Sequence, residues 1–173
     1  MRRSDRQRDE AFAKQIIDQA DYAVLALTEP DGQPYGVPVS TVRHGNCIYV
    51  HGSYEGRKMV ALRTNPNVCL TFVGDVTVPP PIDPVELQRV KQAGESVGRY
   101  VSQQFTTAYA SAIAFGKAVI VEDEAEKVLG LRLLSEKYTP GNMEYFHLAI
   151  AASLDVTCVI RIDLQQLTGK EKP

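Results

Sequence analysis

The sequence predicts a mainly β chain with peripheral helices, an α+β fold built on a small antiparallel barrel. Three observations predict it. Apolar strand-like runs come in groups joined by short turns. Helices fall between these groups rather than alternating one for one with strands, which argues against a doubly wound parallel sheet. Five or six strands in 173 residues leave few exposed edges only if the sheet closes, or partly closes, on itself.

Asp9 to Ala20 reads as an amphipathic helix, with Ala13, Ile16, Ile17 and Ala20 on one face. Tyr22 to Leu27 is a strand, and Pro30-Asp31-Gly32 supplies the preset φ, side-chain acceptor and φ > 0 residue of a tight turn. Strands over Tyr35–Val42 and Cys47–Val50, joined at His44-Gly45-Asn46, complete a meander. Gly56 to Thr64 is a short helix ended by Asn65-Pro66, and Val68 to Val73 is a fourth strand. Prolines make Thr77 to Pro84 a rigid connection. Val85 to Ala93 is helical, whereas Ser96 to Thr107 carries no decisive pattern. Ala110 to Val121 is a long strand in which Gly116 marks a bulge or bend. Glu124 to Tyr138 is the clearest helix, with Val128, Leu131, Leu134 and Tyr138 on one side, closed by Pro140-Gly141. A helix over Asn142–Ala152 and a strand over Val156–Leu164 finish the chain.

Composition bounds the function. Apolar residues at 44% and charged residues at 23% are ordinary for one globular domain. A formal net charge of −2 removes the bulk electrostatic case for nucleic-acid binding. No stretch nears the roughly 20 apolar residues that cross a bilayer, and Met1-Arg2-Arg3-Ser4-Asp5-Arg6 runs into charge rather than an apolar segment. The expectation is a soluble, cytoplasmic protein. Cys47, Cys69 and Cys158 form no C-x-x-C pair and read as packing residues in a reducing compartment.

Dinucleotide, P-loop and hydrolase motifs are absent. The most informative stretch is His51-Gly52-Ser53-Tyr54-Glu55-Gly56-Arg57-Lys58, where a strand ends in a histidine, turns through glycines and opens a helix with two cations. Such a helix start offers backbone N–H groups and positive charge to a phosphate. Cations there cost about 0.3–1 kcal/mol unless an anion intervenes, although two solvated surface residues give the same pattern. His51 is equally a strand-end histidine bonded to backbone; His44 reads as a turn residue and His147 as a packing or surface one. Pro38-Val39-Ser40-Thr41 offers small polar side chains and backbone groups on the neighbouring strand, suited to a planar ring, although taken alone it is only a strand.

These pieces, in this order, resemble the pyridoxamine 5′-phosphate oxidase-like flavin-binding split barrels, and among them the nitroimidazole-resistance (Nim-type) subgroup. The resemblance is carried by Met1-Arg2-Arg3 with Asp5-Arg6, Gly32-x-Pro34-Tyr35-Gly36-Val37-Pro38-Val39-Ser40, and Ile48-Tyr49-Val50-His51-Gly52 with Gly56-Arg57-Lys58. Asn65-Pro66-x-Val68, Phe105-Thr106-Thr107-x-Tyr109-x-Ser111, Gly116-Lys117-Ala118 and Leu167-Thr168-Gly169-Lys170 extend it across the chain.

The resemblance implies one domain over residues 1–173, a six-stranded split β-barrel of Greek-key type. It implies FMN held between the subunits of a homodimer. Pro38, Val39, Ser40 and Thr41 would line the isoalloxazine ring, His51 and Gly52 its edge, and Ser53 the ribityl-phosphate side. Arg57 and Lys58 would hold the phosphate, and Tyr109 and Ser111 would approach from the partner. Residues 79–104 read as an insertion relative to the family. The expected activity is FMN-dependent oxidoreduction of a nitro-substituted heteroaromatic or similar small acceptor, with His51 orienting the acceptor or supplying a proton. The alternatives are a non-catalytic flavin- or haem-binding protein and a pyridoxamine-phosphate-type oxidase.

Overall fold

The computed structural model describes residues 2–173; Met1, part of the resemblance quoted above, lies outside the described residues. A 3-10 turn over Ser4–Arg6 leads to β1 (Gln7–Arg8) and α1 (Glu10–Gln19). Then come β2 (Ala23–Thr28), β3 (Pro34–Val39), β4 (Val42–His44), β5 (Cys47–Gly52), α2 (Arg57–Thr64) and β6 (Asn67–Thr77). The second half holds α3 (Pro84–Gln92), α4 (Val97–Gln103), β7 (Ala108–Ile120), α5 (Glu124–Tyr138), α6 (Phe146–Ser153) and β8 (Cys158–Lys172). Side chains of Asp9, Asp83, Ser96 and Asp123 cap α1, α3, α4 and α5, each worth about 1 kcal/mol.

Every strand pairing is antiparallel, in the order β3-β2-β6-β7-β8-β5-β4, with β1 added on β8. The two end strands of this order, β3 and β4, are separated in sequence only by Ser40 and Thr41. Three peptide steps reach about 11 Å at most, so the sheet must curl until its edges lie side by side. The result is a barrel left open along one seam, the expected split barrel with peripheral helices.

Leu25, Ile48, Val50, Leu70, Phe72, Ile160 and Ile162 fill the interior from β2, β5, β6 and β8, all fully buried. Each side chain of this size contributes about 1.5–3 kcal/mol. α1 closes the barrel with Ala13, Ile16 and Ile17. On the outside of β5 and β8, Tyr49, Val121 and Val159 form a smaller cluster beneath α5. Gly130 permits this approach, because a Cβ there would sit 3.0 Å from both Tyr49 and Val159.

The described residues form eight strands where the strand patterns predict six. The expected Tyr35–Val42 strand divides at Ser40–Thr41, where the chain crosses the seam from β3 to β4. β1 adds a two-residue strand. β8 continues eight residues past Leu164, to Lys172, because pairing with β7 and β1 satisfies a backbone whose side chains are mostly polar. The expected irregularity at Gly116 is present: Phe115 faces Gln166 while Gly116 faces Leu164, leaving Gln165 as the bulged residue. A Cβ on Gly116 would lie 2.5 Å from the Asp163 carbonyl oxygen.

Two helical boundaries also differ. Ser96–Thr107 contains α4, started by the Ser96 cap and packed on α3. Residues Pro140–Tyr145 form a 3-10 segment before α6, so the helix expected from Asn142 begins at Phe146. On α5 the buried line is Lys127, Gly130 and Leu134, while Val128, Leu131 and Tyr138 are half-buried. A buried lysine on that line is invisible to apolar periodicity. Among the described residues, no helix is long and apolar enough to cross a membrane.

Candidate functional site

The end of β5, the turn Ser53–Gly56 and the start of α2 form the centre of the site. Strand alternation sends Ile48 and Val50 into the barrel and turns Tyr49 and His51 toward α5. Gly56 takes φ +98°, a conformation that suits glycine, and lets the chain turn sharply into α2. Ser53 Oγ accepts from the Glu55 N–H at 3.2 Å and shapes the turn.

The two cations of α2 diverge. Lys58 folds back over the strand end, its Nζ 3.5 Å from the His51 carbonyl oxygen. Gly52 makes room for it, since a Cβ there would lie 2.7 Å from that Nζ. Partial loss of water lowers the Lys58 pKa. Arg57 points the other way, clamps the Glu29 carboxylate with Nε at 2.6 Å from Oε1, and stacks 4.6 Å from the Tyr35 ring centroid. Hydrogen bonding to Arg57 holds the Glu29 carboxyl below its usual range.

His51 shares a cleft of about 220 Å³ with Ser40 from the seam and Ser135, Tyr138 and Thr139 from α5 and its end. Water lost against this wall, and then the Lys58 charge, push the His51 pKa below its ordinary value. The imidazole is therefore neutral near neutral pH and can donate one hydrogen bond while accepting another. Beneath the cleft, the seam is stapled by α5: Tyr138 Oη accepts from the Thr41 N–H and donates to the Thr41 carbonyl, which also accepts from Lys137.

The structure thus gathers His51, Gly52, Ser53 and Lys58 within one turn region, with Ser40 sharing the cleft of His51. Pro38 lies on β3, an edge strand paired only with β2. The side chains of Val39 and Thr41 are buried, and the Thr41 N–H and carbonyl are already bonded by Tyr138 and Lys137. Tyr109 and Ser111 do not join the group. Tyr109 opposes Lys172 on β8 whereas His51 opposes Val159. Thirteen residues of β8 (172 against 159) separate the two levels, on the order of 40 Å along an extended strand. Around Tyr109 lies a second basic group, in which hydrogen bonds from Lys170 and Arg6 lower its phenol pKa.

Glu29, Arg63, Lys127 and Tyr138 also shape the site, and no motif marks them. Arg63 donates to the Tyr54 carbonyl at 3.1 Å, and Lys127 to Tyr54 Oη at 3.0 Å. The donor set fits an anionic group joined to a flat ring: ammonium and unpaired first-turn amides at α2, a glycine whose missing Cβ admits Lys58, and a free strand edge beyond. Among the described residues, no cluster of metal-ligating side chains occurs.

The sequence profile of the family described as pyridoxamine 5′-phosphate oxidase matches residues 9–169. No curated protein matches the chain. Among solved structures, a candidate 5-nitroimidazole antibiotic resistance protein from Bacteroides thetaiotaomicron is 25% identical, covering 94% of this chain and 84% of its own, with a TM-score of 0.68. The flavocytochrome Anf3 from Azotobacter vinelandii is similar with a TM-score of 0.77 and 24% identity, over 100% of this chain and 72% of that one. An FAD and heme binding protein from Mycobacterium smegmatis gives 0.72 and 19%, over 96% and 73%.

Proposed function

The chain belongs to the pyridoxamine 5′-phosphate oxidase family, and on that premise we propose that it is an FMN-dependent oxidoreductase acting as a homodimer on a nitro-substituted heteroaromatic or similar small acceptor. The observation that carries the reading is Lys58 folded over Gly52 beside the cleft that His51 lines. Lys58, with the first amides of α2, holds the phosphate, and Arg57 joins it by exchanging Glu29 for the ligand. Pro38, Val39, Ser40 and Thr41 would hold the ring, His51 and Gly52 its edge, and Ser53 the ribityl chain. Bound there, flavin would supply the redox chemistry between a reductant and the acceptor. His51 orients the acceptor or provides a proton at its Nδ1 or Nε2.

The homodimer reading rests on the outer sheet face. Val24, Val73, Ile113 and Phe115 stand exposed on β2, β6 and β7, Val73 at 58% and Phe115 at 45%. Ser111 pairs with Val73 and shares its face. A second copy covering this apolar patch meets Tyr109 and Ser111 at the same time. That arrangement lets two residues remote from His51 in their own chain complete the partner's site. Residues 79–104, which hold α3 and α4, act in this reading as a family-foreign insertion.

The similarity to the flavocytochrome, together with an accessible neutral imidazole, favours one other reading, a protein that holds flavin or haem without turnover. Visible absorbance of the purified protein, mass identification of the released ligand and anaerobic reoxidation separate the two. Released FMN, with reoxidation accelerated by a nitroheteroaromatic, supports the oxidoreductase. A coloured dimer indifferent to such acceptors supports the holding protein.

A further inference from the structure

Lys127 is 8% exposed and is the charged member of the buried line of α5. Its Nζ donates to Tyr54 Oη at 3.0 Å and to the Leu154 carbonyl at 2.7 Å, and lies 5.6 Å from the Tyr54 ring centroid. Both acceptors are neutral. Among the described residues, no carboxylate forms an ion pair with Lys127, Lys58 or Arg63. Lys58 folds over Gly52, which pairs with Cys158 at the start of β8, while Lys127 and Arg63 both donate to Tyr54, so the three cations border the Ser53–Gly56 turn.

An ammonium removed from water without a counter-charge is costly. Neutral hydrogen bonds alone do not call for a cation here, because a glutamine could make them. An excess of positive charge collected around one turn is what an anionic ligand would balance. Tyr54 links the parts: Lys127 fixes its hydroxyl, Arg63 its carbonyl, and its backbone belongs to the turn that precedes Lys58.

We infer that Lys127 is a positioning residue for a phosphate group, fixing the turn through Tyr54 and adding, with Arg63, the charge that favours a phosphorylated ligand over its phosphate-free analogue. The inference rests on the proposed flavin site but concerns only its phosphate end. It therefore separates FMN from riboflavin, which shares the ring and lacks the phosphate.

Dissociation constants for FMN and riboflavin are measured for wild type, Lys127→Met, Lys127→Arg and Tyr54→Phe, alongside thermal midpoints with and without inorganic phosphate. Lys127→Met weakens FMN by about tenfold or more and riboflavin by less than about threefold, and Lys127→Arg restores FMN to within about threefold of wild type. Tyr54→Phe, which keeps the charge and the ring, gives a smaller loss of the same FMN-selective kind. Equal weakening of FMN and riboflavin, or no weakening of either, overturns the inference. Phosphate raises the thermal midpoint of wild type and Lys127→Arg but not of Lys127→Met; an equal rise in all three, or none in wild type, also overturns it. Wild type that refuses both flavins yet shows the Lys127-dependent phosphate effect retains the anion site and removes the flavin reading.

Discussion

The backbone of Thr41 and the phenol of Tyr138 satisfy each other: the Thr41 N–H donates to Tyr138 Oη at 2.9 Å, and that hydroxyl donates to the Thr41 carbonyl at 3.0 Å. Strand pairing cannot supply these partners, because Thr41 lies in the seam between β3 and β4. Tyr138→Phe leaves a buried N–H unpaired and lowers unfolding stability by about 1–3 kcal/mol. Thr41 Oγ1, in contrast, is buried with no partner among the described residues. Thr41→Val therefore raises stability by about 1 kcal/mol, or leaves it unchanged, and keeps FMN affinity. Urea unfolding and flavin titration of both variants check the pair; loss of FMN on Thr41→Val would show that the hydroxyl serves the ligand.

Glu29 and the ligand phosphate compete for Arg57 in the proposed site. Glu29→Gln tightens FMN severalfold by freeing the guanidinium, as read by equilibrium titration. The paired carboxyl has its folded pKa below the unfolded value. Its contribution to stability is therefore present above the unfolded pKa and is lost as pH falls through the lowered one. Glu29→Gln removes that part of the acid sensitivity, which acid-unfolding curves of the two proteins display.

Local chemistry made much of this structure legible in advance. Pro30-Asp31-Gly32 marks the turn after β2, and His51 to Lys58 marks the strand end, glycine turn and helix start. The rest depends on long-range partners. Ser40 and Thr41 read as strand because nothing local records that β3 and β4 are opposite edges. The predicted last strand stops at Leu164, because only β1 and β7 supply the ladder that carries it on to Lys172. Lys127 looks like a solvated helix residue, and only the packing of α5 over Tyr49 and beside Tyr54 buries it. The divergence of Arg57 and Lys58 follows from adjacent positions on a helix pointing about 100° apart, with Glu29 waiting on one side only.

His51 titrates below the ordinary value near 6.5. Imidazole NMR shifts across pH check this, and Lys58→Met moves the midpoint back upward, because the second cause of the shift is the Lys58 charge. A midpoint at or above the ordinary value removes the neutral imidazole from the account. His51→Ala keeps flavin bound while turnover with the acceptor falls by about 10²-fold; unchanged turnover rejects the catalytic role.

In the proposed homodimer the apolar outer face is the contact between the two copies. Phe115→Arg places a charge among Val24, Val73 and Ile113, so it dissociates the dimer and weakens flavin binding while the barrel stays folded. Sedimentation and circular dichroism read the two effects separately. In mixed dimers, one chain carrying Lys58→Met and the other Ser111→Ala retain one intact site and about half the flavin capacity of wild type. A cis arrangement leaves both sites damaged.

The central claim is tested most directly by titrating the flavin-free protein with FMN, for wild type and for the Arg57→Ala/Lys58→Ala pair. Stoichiometric, saturable binding to wild type, weakened by about 10²-fold or more in the double variant, is the predicted result. Wild type that refuses FMN, or a double variant that binds it as tightly, contradicts the account.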